Sequence, residues 1–238
     1  MVNPQDGTLK DAKVLIVGAG SMGTATAQRA LDAGARVTLV GRSADRLARI
    51  AGQLTGLATQ VADTESAEQT AEVLDTREEW DHVAVLTGGT GVMASSIVDT
   101  PVENAKQAFS RFWMTYNVLR AAPGNVRPGG SVCVLSGSSG RRPLVGFGVW
   151  GALHGSLEAL ALSAAVELSP IRVNVVSPGG IGIRMDRQLI PRPGVPDDVA
   201  QMVCALMSNP AVTSAFVDVD AGERLGIYPS TANAWGTT

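Results

Sequence analysis

Strand-length apolar runs alternate with helix-length amphipathic segments along the whole chain, and this constrains the fold more than any other feature. The runs fall near residues 13–18, 36–41, 57–62, 82–87, 131–136, 172–177 and 215–219. The helical patterns fall near 21–33, 43–53, 65–78, 102–121, 148–168 and 196–208. Strands that read as nearly continuous Val, Ile and Leu are buried on both faces, and intervening helices supply the crossovers a parallel sheet needs. The expectation is an α/β fold: a doubly wound, seven-stranded parallel sheet with helices on both faces. A length of 238 residues fits one domain, 1–238, and no repeat, low-complexity tract or linker divides it.

The first run, Val14-Leu15-Ile16-Val17, ends in Gly18-Ala-Gly20-Ser21-Met22-Gly23, and a helical pattern follows. Between a strand and a helix this spacing has a physical meaning. Gly18 permits a tight turn, Gly20 lets backbone approach a pyrophosphate, and Gly23 allows close helix–strand packing. The fold is then Rossmann-type, and Ser21 and Met22 complete a dinucleotide-binding loop. After the second run come Gly41-Arg42-Ser43. A carboxylate here would suit the ribose hydroxyls of NAD, whereas a guanidinium suits a 2′-phosphate. NADP is the expected cofactor, with NAD less favoured; the other reading of Arg42 is a cap on a surface turn. Asp63, after the third run, reads as a neighbour of the adenine or as a helix cap.

Composition excludes several classes. The 19 basic and 22 acidic residues give a net charge of −3, and no basic block is interleaved with aromatics, so nucleic acid is not an expected partner. No apolar run is read as reaching the ~18 residues of a membrane span. The polar start, Met1 to Lys13, lacks a signal-peptide pattern, so a cytoplasmic protein is expected. Cys133 and Cys204 read as small core residues, and no cluster has metal-ligand spacing.

The glycine loop, Arg42, Asp63, Arg172-Val-Asn-Val-Val-Ser-Pro-Gly179, Asp197-Asp198-Val-Ala200 and Val219-Asp220-Ala221-Gly222 together resemble the short-chain dehydrogenase/reductase family over about residues 9–222. The resemblance implies a nicotinamide-dependent oxidoreductase. It adds Thr87, Gly88, Pro178, Gly179 and Ile181 to the cofactor site. It also implies a homodimer or homotetramer built through the helices near 102–121 and 148–168. The family's catalytic serine, tyrosine, lysine and asparagine are altered. Trp150-Gly-Ala-Leu-His154 replaces Tyr-x-x-x-Lys, and Arg111 stands at the asparagine. A gapless fit puts Gly137 at the serine, while a slip of one presents Ser136 or Ser138. The family's Asn-Asn-Ala-Gly reads Val85-Leu86-Thr87-Gly88, and Ile183 stands where a threonine is expected. The stretch from Gly179 to Pro196 is short for the family and suggests an open site.

Candidate catalytic residues are therefore His154, Ser138, Trp150 and Arg111. Indole N–H is only a donor and cannot act as general acid, so Trp150 stacks or lines a pocket. His154 reads as a ribose contact, a replacement acid or a buried neutral histidine. Arg111 offers a fixed charge to an anionic substrate or makes a helix-to-helix salt bridge. Tyr116 and Asn117 read as ordinary helix positions, and His82 as structural. Ser136 and Ser138 carry hydroxyls read as free, without a base to make them nucleophiles. Two functions remain open. One is an NADP(H)-dependent reductase of a carbonyl or imine small molecule; the other is an inactive nucleotide-binding subunit or regulator, paired with an active homologue. The tail from about Glu223, with Tyr228 and Trp235, reads as an extension.

Overall fold

The computed structural model describes residues 8–88 and 94–226. Its strands are β1 (Lys13–Val17), β2 (Arg36–Gly41), β3 (Ala58–Val61), β4 (Trp80–Val85), β5 (Val126–Leu135), β6 (Arg172–Pro178) and β7 (Phe216–Val219). Its helices are α1 (Ser21–Asp32), α2 (Ala44–Ala51), α3 (Ala67–Leu74), α4 (Val102–Ala108), α5 (Ser110–Ala121), α6 (Gly148–Glu167) and α7 (Pro196–Ser208). The strands form one sheet in the order β3-β2-β1-β4-β5-β6-β7, and the paired neighbours run parallel. The order reverses between β1 and β4, where the carboxyl ends of such strands open into a ligand-binding crevice.

Alternation along each strand builds two apolar layers. Leu15 and Val17 of β1 join Val83, Val132 and Val173 in the layer under α3, α5 and α6. Val14 and Ile16 point the other way, joining Leu39, Ala84 and Cys133 under α1, α2 and α7. Ser43 and Ser66 cap α2 and α3 by accepting the backbone N–H of Arg46 and Gln69. The Arg-Val-Asn motif of β6 is scaffold. Arg172 donates to the carbonyls of Leu206 and Met207 at the end of α7, and Asn174 bridges Val212 and Ala215.

Three expectations change. The pattern near 102–121 is two helices broken at Phe109, which serves both as the end of α4 and the start of α5. Strand β5 begins at Val126, because Pro128-Gly129-Gly130 forms an irregular stretch of strand against β4 and not a turn before it. Helix α6 is long and apolar enough, by length and composition, to cross a membrane. It packs as a core helix, with Leu153, Leu157, Ala161 and Ala164 buried in the sheet layer. His82 is buried and shares a 2.9 Å hydrogen bond with Ser131; burial lowers it to about 3. Both cysteines are free and buried.

Candidate active site

A cleft of about 420 Å³ opens over the carboxyl ends of β1 and β2. Gly18, Gly20, Ser21, Met22, Arg42, Ser43, Asp63, Thr87 and Gly88 line it, so nine sequence-derived positions meet in one place. The glycines differ in their reasons. Gly18 has φ +117°, and a Cβ there would lie 2.6 Å from the Leu86 carbonyl oxygen. A Cβ on Gly23 would collide with the Gly18 carbonyl oxygen. A Cβ on Gly20 meets nothing within 4 Å, because this residue faces the open cleft at the start of α1. Free N–H groups of a helix start beside open space are what a pyrophosphate needs. Arg46, Thr64 and Met114 also line the cleft. Arg46 lies four residues after Arg42, so two exposed guanidinium groups flank the end of β2. Asp63 lies between the two readings given above: it lines the cleft and its side chain accepts the Glu65 N–H at 3.1 Å. Asn117 of α5 fixes that loop by donating to the Thr64 and Glu65 carbonyls.

A second cluster, at the ends of β5 and β6 and outside the lining of that cleft, is made of side chains. At the end of β5 the chain turns through Gly137 into a 3-10 turn, Ser138–Gly140, packed on the first turns of α6. There the imidazole of His154 fills the volume a side chain on Gly137 would need. A Cβ at Gly137 would lie 2.7 Å from Nδ1 and 2.9 Å from Nε2. Arg111 approaches His154 Nε2 at 3.3 Å, and Ser139 Oγ lies 2.8 Å from Nδ1. A guanidinium only donates, so Nε2 accepts and the ring proton sits on Nδ1, donated to Ser139. Burial, then the neighbouring Arg111 charge, lowers His154 to about 3, so the ring is neutral. Arg111 stands over the Trp150 ring, 5.8 Å from its centroid. Burial lowers Arg111 to about 10.

This cleft belongs to a known kind of protein. A family model described as Enoyl-(Acyl carrier protein) reductase matches residues 18–223. The chain is similar to the short-chain dehydrogenase/reductase ATR9 of Stachybotrys chlorohalonatus, at 31% identity over 92% of this chain and 99% of that one. It belongs to the short-chain dehydrogenase/reductase family. A 2,3-dihydro-2,3-dihydroxybenzoate dehydrogenase of Escherichia coli is 30% identical over 74% of this chain and 72% of its own. The solved structure of a short-chain type dehydrogenase/reductase from Mycobacterium ulcerans superposes with a TM-score of 0.86 at 25% identity, over 93% and 92% of the two chains. The family consists of oxidoreductases that use nicotinamide dinucleotides, and the cleft suits the adenosine and phosphate part of one.

Around His154 the side chains are bonded to one another. Both ring nitrogens of His154 are engaged within the protein, which leaves none for a ribose hydroxyl. Arg111 makes no salt bridge among the described residues; its charge faces a neutral ring and, at 3.5 Å, the Leu135 carbonyl. The hydroxyls of Ser136 and Ser138 are not free: Ser136 donates to Glu158 at 2.8 Å and Ser138 reaches Glu223 at 3.5 Å. Pro178, Gly179 and Ile181 stand at the end of β6 outside the lining of the cleft. Ile183 is exposed. Tyr116 packs against Phe112 and Trp113.

The stretch after Gly179 is largely exposed and is anchored at one buried residue. Arg187 is buried and paired with Glu223, and the Glu223 carboxylate accepts the Gly180 N–H at 2.9 Å. Glu223 therefore anchors this segment, and the extension begins later; Tyr228 and Trp235 lie outside the described residues. Sequence reasoning missed Arg46, Ser139, Arg187 and Glu223. Arg46, in the first turn of α2 and four residues after Arg42, was a usable signal for the first.

Proposed function

We propose that this protein is an NADP(H)-dependent oxidoreductase that reduces the carbonyl group of a small molecule without a tyrosine acid. The observation that carries the reading is the pairing of two features on one sheet edge. Arg42 and Arg46 flank the end of β2, where no carboxylate stands to favour NAD. At the other end a desolvated guanidinium, Arg111, takes the place of the family's polar relay. A dinucleotide held by the glycine loop and the Arg42–Arg46 pair would supply the hydride for the carbonyl carbon. As that C–H bond forms and the C=O π pair moves to oxygen, the fixed charge of Arg111 stabilises the developing oxyanion. His154 positions Arg111 by accepting its N–H, and Trp150 walls the guanidinium. The oxygen then takes a proton from solvent water. Losing a positioned acid costs typically ~10²–10⁴ in rate. A fixed donor aimed at the oxyanion restores typically ~10²–10³. An iminium substrate fits poorly, since its cation is repelled by an unpaired guanidinium. Exposed Trp113, Tyr116, Leu162 and Val166 on α5 and α6 support a homodimer or homotetramer, and the core packing of α6 fits a cytoplasmic protein.

Calorimetry with NADPH and NADH on wild type and on Arg42→Ala/Arg46→Ala tests this, followed by NADPH oxidation across a carbonyl panel. NADPH should bind at least tenfold tighter than NADH, and the double variant should lose that preference. Equal binding removes the NADP reading. Binding without turnover leaves the inactive nucleotide-binding subunit.

A further inference from the structure

Among the described residues, two buried arginines find their compensation inside the protein and a third does not. Arg172 is held by helix-end carbonyls and Arg187 is paired with Glu223. Arg111 is equally buried, 6% exposed, and no carboxylate reaches it among the described residues. Its partners are the neutral His154 ring at 3.3 Å and the Leu135 carbonyl at 3.5 Å, and its Nε has no hydrogen-bond partner among the described residues. An unpaired charge out of water is strongly unfavourable, so a protein keeps one where a ligand brings the opposite charge. The cofactor's phosphates do not serve, because the glycine loop and the Arg42–Arg46 pair hold them over β1 and β2. Arg111 lies behind the cleft wall instead, on α5 one turn before Met114, which lines the cleft.

Resting on the reductase reading above, we propose that Arg111 receives the carboxylate of the substrate, and that the substrate class is an oxo acid with its carboxylate next to the reacting carbonyl. A single guanidinium matches a monoanion, and its planar fork matches a carboxylate. The Trp150 ring fixes the plane of that fork. Gly137 and His154 act through Arg111 as positioning residues. The imidazole accepts one N–H and the Leu135 carbonyl a second at 3.5 Å, which leaves Nε and the remaining N–H groups for the ligand.

The test uses 2-oxo-4-phenylbutanoate and its ethyl ester, titrated by calorimetry into the protein loaded with NADP⁺. Wild type, Arg111→Lys and Arg111→Met are compared. The acid should bind wild type at least tenfold tighter than the ester. Arg111→Lys should keep part of that preference, and Arg111→Met should bind both within twofold. The acid should also raise the melting temperature of wild type and not of Arg111→Met. Without ligand, Arg111→Met should melt higher than wild type, because it removes an uncompensated charge; a merely structural arginine would give the reverse. Equal binding of acid and ester by wild type, binding of neither, or a preference that survives in Arg111→Met overturns the proposal. NADPH titrations on the same samples separate the two readings. Normal NADPH binding with no acid preference removes the oxo acid alone, whereas absent NADPH binding removes the reductase with it.

Discussion

The cleft over β1 and β2 and the side-chain cluster over β5 and β6 are built from different material. Over β1 and β2 the surface is backbone: Gly18 bends it, Gly23 lets the helix close on it and Gly20 leaves it bare toward the opening. Over β5 and β6 the surface is side chains already bonded to one another, Arg111 to His154 to Ser139 and Arg187 to Glu223. A backbone site serves any ligand with the right phosphates, and few residue types can make it. A side-chain site can change its chemistry if its members change together. Gly137 and His154 look like such a joint change, since the ring occupies the space a serine would fill.

The largest expected effect is acid sensitivity. Burial lowers both His82 and His154 to about 3, against an ordinary value of 6.5. The folded protein therefore holds both rings neutral, while the unfolded chain protonates them below about pH 6.5. Their contribution is fully present above that pH and is lost as pH falls toward about 3. Each ring should contribute about 1.4 kcal/mol of lost stability per pH unit in this window. Denaturant unfolding at pH 7, 6, 5 and 4 should show the slope, and His154→Ala should remove about half of it. An unchanged slope in that variant would mean that His154 is not held neutral by its site.

Restoring the family's serine should come next in size. Gly137→Ser places a Cβ against the His154 ring and should destabilise by roughly 1–3 kcal/mol, the usual range for overpacking. Combined with His154→Ala, the same substitution should cost far less, giving a coupling of about 1 kcal/mol or more in a double-mutant cycle. Additive effects would show that the two replacements are independent and that the reacting end is no more cooperative than the nucleotide end.

The same contrast in material explains what could be read from the residues alone. The order of strands and helices was legible because apolar period and length carry it locally. The nucleotide end was legible because its glycines lie within six residues of one another. Phe109 breaks a continuous helical pattern, and Pro128-Gly129-Gly130 enters a strand, because tertiary neighbours decide both. At the reacting end His154 was named, yet its partners were not. Arg111 is 43 positions away from it, and Glu223 is 36 from Arg187. No period along the chain announces such meetings, and hydroxyls such as Ser136 look free until Glu158 is placed beside them.

The smallest prediction uses one backbone conformation that occurs at both ends. Gly18 takes φ +117° at the nucleotide end, where the neighbouring Leu86 carbonyl also forbids a side chain. Ala221 takes φ +53° just after β7, where the family's terminal motif has glycine. A left-handed backbone costs a residue with a Cβ roughly 1–2 kcal/mol. Glycine removes that strain but adds freedom to the unfolded chain worth about 0.4–1 kcal/mol. The hydrogen bonds that hold this turn, from the Gly222 and Arg224 N–H groups to Asp220, do not involve the Ala221 side chain. Ala221→Gly should therefore stabilise by about 0.5–1 kcal/mol, read as a rise in melting temperature. It should leave NADPH affinity unchanged, because the turn anchors Glu223 and not the nucleotide loop. A fall in melting temperature would show that the turn is relaxed as it stands.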